Sequence, residues 1–178
     1  MRTSPHFLLL TLSLSLLPLP SAAQEPVRAI GLENLNFLVG EWTGDGGGTG
    51  PGKGTGGFTY AYDLQGKILV RKNFAQYPAT KERPAYRHDD LMITYVGPSN
   101  LLRAVYFDNE GHTINYSVNV AGDKSRVTFI SDVTPNAPRF RLIYTRGSPT
   151  ELEIQFDIAP PGKPEEFAPY IKATAKKR

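Results

Sequence analysis

Along most of this chain, apolar and polar side chains take turns. The cleanest case sets Ile114, Tyr116, Val118 and Val120 against Thr113, Asn115, Ser117 and Asn119, a period of two that marks an extended segment with one buried face. Comparable runs are Phe58-Tyr60-Tyr62, Ile68-Val70-Phe74, Leu91-Ile93-Tyr95, Leu102-Ala104-Tyr106, Val127-Phe129-Val133, Phe140-Leu142-Tyr144, Leu152-Ile154-Phe156-Ile158 and a weaker Tyr170 to Thr174. Breakers such as Gly97-Pro98, Gly122-Asp123 and Pro160-Pro161-Gly162 separate them. Asp63-Leu64-Gln65-Gly66 and Asp108-Asn109-Glu110-Gly111 place Asp first and Gly fourth, which predicts two hairpins with type I turns. With the strand opening at Trp42, about ten strands follow one another and no amphipathic helix exceeds one or two turns.

Such a meander leaves two unpaired edges, and closing the sheet on itself removes both. The expected fold is therefore all-β: a single closed antiparallel up-and-down barrel of about ten strands, opened by a short helical turn, with a sandwich as the competing arrangement. The opening stretch favours the barrel. Leu35, Phe37 and Leu38 suit one helical turn and lead into Trp42, the lone tryptophan, as a plug for the barrel end. Glycine takes nine of the fourteen positions from Gly44 to Gly57, which reads as a long mobile connection near the rim. Gly47 to Lys53 also matches G-x-x-x-x-G-K, but Gly54 stands in place of Ser or Thr and a strand follows, so a phosphate loop is rejected. Tyr77 to Arg87, with Pro78 and Pro84, reads as an irregular excursion.

Composition adds the setting. Residues 1–23 carry Arg2, an apolar run from Phe7 to Leu17 and small residues at Ser21-Ala22-Ala23, the pattern of a signal peptide. The run is too short to span a bilayer. This leaves residues 24–178 as one domain and predicts a secreted or periplasmic location with no membrane span in the mature chain. There is no cysteine, which excludes disulfides and thiolate chemistry. A formal net charge of +3 gives no field for nucleic acid, and the basic end, Lys172, Lys176, Lys177 and Arg178, reads as a frayed tail.

Chemistry has few candidates. His112 shares parity with Ile114 and Tyr116 and could face a cavity as a haem or metal ligand, or sit half in water at a hairpin end. His88-Asp89-Asp90 sets a histidine beside two carboxylates, which could form part of a metal or acid–base site, but sequential neighbours on a strand point to opposite faces, so the block reads as polar punctuation at a strand start. No metal site is assigned beyond these two histidines. No catalytic residue is assigned either: no G-x-S-x-G occurs, and the balance lies against an enzyme, although a lone acid or base would leave no signature. Phe58, Tyr60, Tyr62, Tyr116, Phe129, Tyr144 and Phe156 fall on the inferred inward face and suit an apolar or aromatic ligand with one polar group. The leading expectation is thus a barrel that binds a small, mainly apolar molecule. The alternatives are a haem-binding or small-molecule-modifying barrel using His112 or His88, or a ligand-free interaction module. Cofactor, ligand identity and oligomeric state stay open.

Gly40-Glu41-Trp42, a G-x-W after a short apolar turn, resembles the opening motif of the calycins. Phe37 to Gly46, Tyr60 to Arg71 and Phe107 to Gly111 are similar to segments of the nitrobindin-like and related bacterial lipocalin-like domains of unknown function. The resemblance spans Leu32 to about Thr174 and implies a ten-stranded barrel with an internal cavity. Nitrobindins bind haem through a late histidine, and here none follows His112. Lipocalins cover the tryptophan with a late arginine, for which Arg139 and Arg141 are the candidates.

Overall fold

The computed structural model describes residues 31–48 and 53–178. The expected signal peptide lies outside the described residues, as does the centre of the glycine stretch. A 3₁₀ turn over Leu32–Leu38 precedes ten strands: β1 (Gly40–Gly48), β2 (Gly54–Asp63), β3 (Ile68–Tyr77), β4 (Tyr86–Val96), β5 (Leu102–Asp108), β6 (Thr113–Val120), β7 (Arg126–Ser131), β8 (Arg139–Ser148), β9 (Glu151–Ala159) and β10 (Ala168–Lys177). Each pairs antiparallel with its sequence neighbours, and β10 returns to β1 to close one barrel. The sheet therefore has no open edge, which excludes the sandwich.

The 3₁₀ turn seals one end. Leu32, Leu35 and Leu38 are fully buried and Trp42 is almost so, and each such burial contributes about 1.5–3 kcal/mol. The Trp42 indole N–H donates to Leu38 O at 2.8 Å, satisfying the polar handle of a buried ring. Its ring stacks on Phe58 at a centroid distance of 6.1 Å. Gly40 joins turn to strand at φ 127°, and a Cβ there would stand 2.6 Å from Lys177 Cε. The glycine of G-x-W thus supplies a left-handed joint and clears a path for Lys177, whose ammonium lies 5.3 Å from the Trp42 ring centre.

Several expectations need correcting. Lys177, not Arg139 or Arg141, covers Trp42; Arg141 instead binds Asp157 on the outer face, with Arg139 on Glu165. The basic end is not frayed, because it forms β10, and Arg178 N donates to Glu41 O at 2.9 Å. The glycine stretch is largely strand: Gly44 pairs with Gly56 and Gly46 with Gly54. Composition pointed to a loop, but contact requires the glycines. A Cβ on Gly44 would meet Thr174 O at 2.0 Å, and one on Gly46 would meet the Ala173 Cβ at 2.4 Å. The hairpins also differ. Asp108–Gly111 closes with Gly111 N donating to Asp108 O, whereas Leu64, Gln65 and Gly66 all take positive φ, the mirror-image hand and not type I.

The faces of two strands are reversed from the apolar pattern. In β3 the inward residues are Leu69, Arg71 and Asn73, and in β4 they are His88, Asp90, Met92 and Thr94; Leu69, Arg71, Met92 and Thr94 are buried. Ile68, Val70, Leu91, Ile93 and Tyr95 consequently stand on the outer face. Val133 lies beyond β7 and is exposed.

Candidate functional site

The end opposite the 3₁₀ turn holds a cavity of about 410 Å³, within the range of about 300–1,000 Å³ usual for small-molecule sites. Its wall has three sectors. Gly44, Gly46, Gly54 and Gly56 on β1 and β2 present bare backbone, so the close strand contacts that require glycine also leave space inside. Phe140, Leu142, Tyr144, Ile154, Phe156, Ile171 and Ala173 form an apolar sector on β8, β9 and β10. Facing them, Arg71, Asn73, His88, Asp90, Tyr106 and Asp108 form a polar sector on β3, β4 and β5.

Of the seven aromatic residues expected to line a cavity, Phe58, Tyr116, Tyr144 and Phe156 reach its wall. Tyr60 and Phe129 are buried deeper, each ring about edge-on to Tyr144. Tyr62 lies at the sealed end, its hydroxyl 3.0 Å from Leu32 O. The division follows height in the barrel, which periodicity does not encode. Parity assigns a face, and the plug decides how far down that face is filled.

The polar sector is one connected network. Arg71 donates to Asp90 through Nη2 and to the Tyr144 hydroxyl through Nη1 at 2.6 Å. Asn73 Nδ2 adds a bond to Asp90 Oδ2 at 2.7 Å. Both charged side chains are almost inaccessible, at 6% and 4%. Burial by itself would raise the Asp90 carboxyl; the Arg71 guanidinium and the bonds from His88, Arg71 and Asn73 outweigh it and hold the group below its usual range. Burial likewise opposes the charge on Arg71, and Asp90 reverses the balance and keeps it firmly protonated.

His88 sits between this pair and the rim. Its Nε2 is 2.9 Å from the Tyr106 hydroxyl and 3.5 Å from Asp90 Oδ2, and its Nδ1 is 3.0 Å from Glu110 Oε1. The bond with Asp90 leads in raising its pKa, against the opposing effect of burial. The Tyr106 hydroxyl also reaches Asp108 Oδ2 at 3.2 Å, and Tyr86 donates to Glu110. Burial first, then Asp90 and Asp108, push the Tyr106 phenol well up, so it stays a proton donor. Asp108 accepts the backbone N–H of Glu110 and of His112 through Oδ1, at 3.0 and 2.9 Å.

His88 and Asp90 therefore point inward together from within β4. Their i, i+2 spacing carries both to one face, while Asp89 points out and binds Arg87. Reading the three residues as a punctuating block hid the pair. His112 lines the cavity mouth, with a largely exposed side chain and its Nδ1 2.9 Å from Asp108 Oδ2. Arg71 was missed because the alternation of β3 is reversed, and Asp90 was set aside with its neighbours; the signal that could have paired them is the i, i+2 polar spacing of Arg71-Asn73 and His88-Asp90, whereas Asp108 and Glu110 were read only as turn residues. Among the described residues, His88, Asp108 and Glu110 form a group of possible metal ligands, with one donor atom from each within 4.8 Å of the others.

The fold and its open mouth define a ten-stranded closed antiparallel barrel with an internal cavity. The chain is similar to the crystal structure of Rv2717c from M. tuberculosis, with a TM-score of 0.57 at 16% identity over 85% of this chain and 99% of that one. At that identity the likeness speaks for the fold. No family model and no curated protein sequence matches the chain.

Proposed function

We propose that this protein is an exported barrel of the calycin type, close in plan to the nitrobindin-like and bacterial lipocalin-like domains, that carries a small amphipathic molecule in its open-ended cavity. The observation that supports this reading is the division of the cavity: an apolar sector from β8 to β10 faces a hydrogen-bonded polar sector from β3 to β5. An aromatic or aliphatic body would lie against Phe140, Leu142 and Phe156, and a polar end would meet the Arg71–Asp90–His88 side. The bare glycine sector supplies the volume. Export rests on the pattern of residues 1–23.

The test is binding. Titration with the fluorescent probe 1-anilinonaphthalene-8-sulfonate should saturate at one site per chain. Ala173→Trp, which fills the cavity from β10, should weaken that binding at least tenfold. Native mass spectrometry of wild-type protein should show a co-purified small molecule that the filled variant lacks. Equal probe binding by both proteins would place the probe outside the barrel and remove the carrier reading.

A further inference from the structure

The rim of the polar sector carries a donor set that shares only His88 with the proposed ligand contacts. Three elements deliver it: His88 from β4, Asp108 from the end of β5, and Glu110 from the following turn. The turn is fixed by its own backbone, since Asp108 Oδ1 caps the N–H groups of Glu110 and His112. Asp108 is itself buried, with a side-chain exposure of 4%. Where Asp90 is paired with Arg71, Asp108 is held by two backbone N–H groups, the Tyr106 hydroxyl and the exposed His112 imidazole.

We propose that His88, Asp108 and Glu110 hold a divalent transition-metal ion of the zinc class at the cavity mouth, with one coordination position left open towards the cavity. Imidazole and carboxylate donors suit such an ion. Donors bound at about 2.0–2.2 Å in a tetrahedral shell stand about 3.3–3.6 Å apart. The separation of 3.0 Å between His88 Nδ1 and Glu110 Oε1 is near that spacing, and all three donors fall within 4.8 Å.

The second observation lies behind the ligands. A metal-binding imidazole commonly gives its other N–H to a carboxylate or another acceptor, which fixes its tautomer and aims its lone pair. Here Nε2 faces the Tyr106 hydroxyl and the Asp90 carboxylate, and Asp90 is in turn fixed by Arg71 and Asn73. With an ion bound at Nδ1, on the side of Glu110, the remaining ring proton would sit on Nε2, where Tyr106 and Asp90 accept it. Tyr106 and Tyr86 steady the two carboxylates from the same side. His112 stands at the outer edge, its Nδ1 2.9 Å from Asp108 Oδ2.

The experiment is titration of untagged protein with zinc chloride by calorimetry, and with cobalt chloride by absorption. One equivalent of zinc should bind saturably, and cobalt should give the intense visible bands of a four-coordinate site. His88→Gln and Asp108→Asn should each weaken zinc binding at least tenfold, whereas Asp89→Asn, on the opposite face of β4, should leave it unchanged. Zinc should raise the melting temperature of the wild type and not of His88→Gln, a readout that also shows that the variant is folded. Absence of saturable zinc binding in the wild type, or equal binding in His88→Gln and Asp108→Asn, overturns the proposal. Probe binding in the cavity does not need the metal, so the two readings fail separately.

Discussion

The two facing walls of the cavity follow opposite rules. On β8 and β9 the inward positions are Phe140, Leu142, Tyr144, Leu152, Ile154 and Phe156, so hydrophobicity and burial coincide. On β3 and β4 the inward positions include Arg71, Asn73, His88, Asp90 and Thr94, and the apolar residues of the alternation cover the outside. One wall is held by packing and the other by a network of hydrogen bonds and charges that reaches across to Tyr144. The difference teaches that barrel interior and hydrophobic core are separate categories: the sealed end is a core, whereas the mouth is a site.

The contrast can be broken most sharply at its charged centre. Arg71→Met leaves the Asp90 carboxylate buried and uncompensated, and urea denaturation should show a loss of about 3–5 kcal/mol. Adding Asp90→Leu to that variant should restore part of it, because an apolar pair of similar volume avoids desolvation. No recovery would mean that the polar wall is stabilised by contacts other than this pair. On the packed wall, Leu142→Ala should cost about 2–4 kcal/mol through lost transfer energy and a cavity, and no companion substitution on the same wall should rescue it.

Smaller effects sharpen the same contrast through pH. The folded-state pKa of His88 is raised above 6.5, first by its bond to Asp90. Its contribution is therefore fully present below about 6.5 and disappears as pH rises through the folded value. Asp90 has the opposite sign: its depressed pKa gives stability that is present above 3.8 and lost as pH falls through the folded value. Urea midpoints measured from pH 5 to about 9 should decline on the alkaline side in the wild type and be flatter in His88→Gln. A decline of equal size in both proteins would assign it to another group. The smallest effect belongs to the outer face, where Asp89→Asn, breaking the exposed pair with Arg87, should leave the urea midpoint unchanged.

How far the site could be read ahead depended on which wall carried it. Tyr116, Tyr144 and Phe156 were legible because their strands alternate cleanly and the apolar face is the buried one. His88 and Asp90 were legible only as types of residue. Nothing in the local pattern of β4 distinguishes a strand with Leu91, Ile93 and Tyr95 inside from one with those residues outside. Register decides, since a slip of one residue exchanges the faces. Here that register is set by β3, where Arg71 pairs with Met92 and Asn73 with Asp90. The glycine stretch failed differently: composition reported conformational freedom, while the contacts of Gly44 and Gly46 with β10 reported a steric need.

Strand number, their antiparallel order and the tryptophan-bearing opening were set by the chain alone, because period-two alternation, turn residues and an apolar helical turn are local properties carried by neighbouring residues. The charged network, the depth of the cavity and the covering of Trp42 by Lys177 were decided only by the assembled barrel. Pairing of β3 with β4 and of β4 with β5 sets their inward faces and gathers His88, Asp108 and Glu110 at one rim, while closure brings β1 against β10 and Tyr144 against Arg71. Those relations join residues far apart in sequence, and no local pattern encodes which distant partner a side chain will meet.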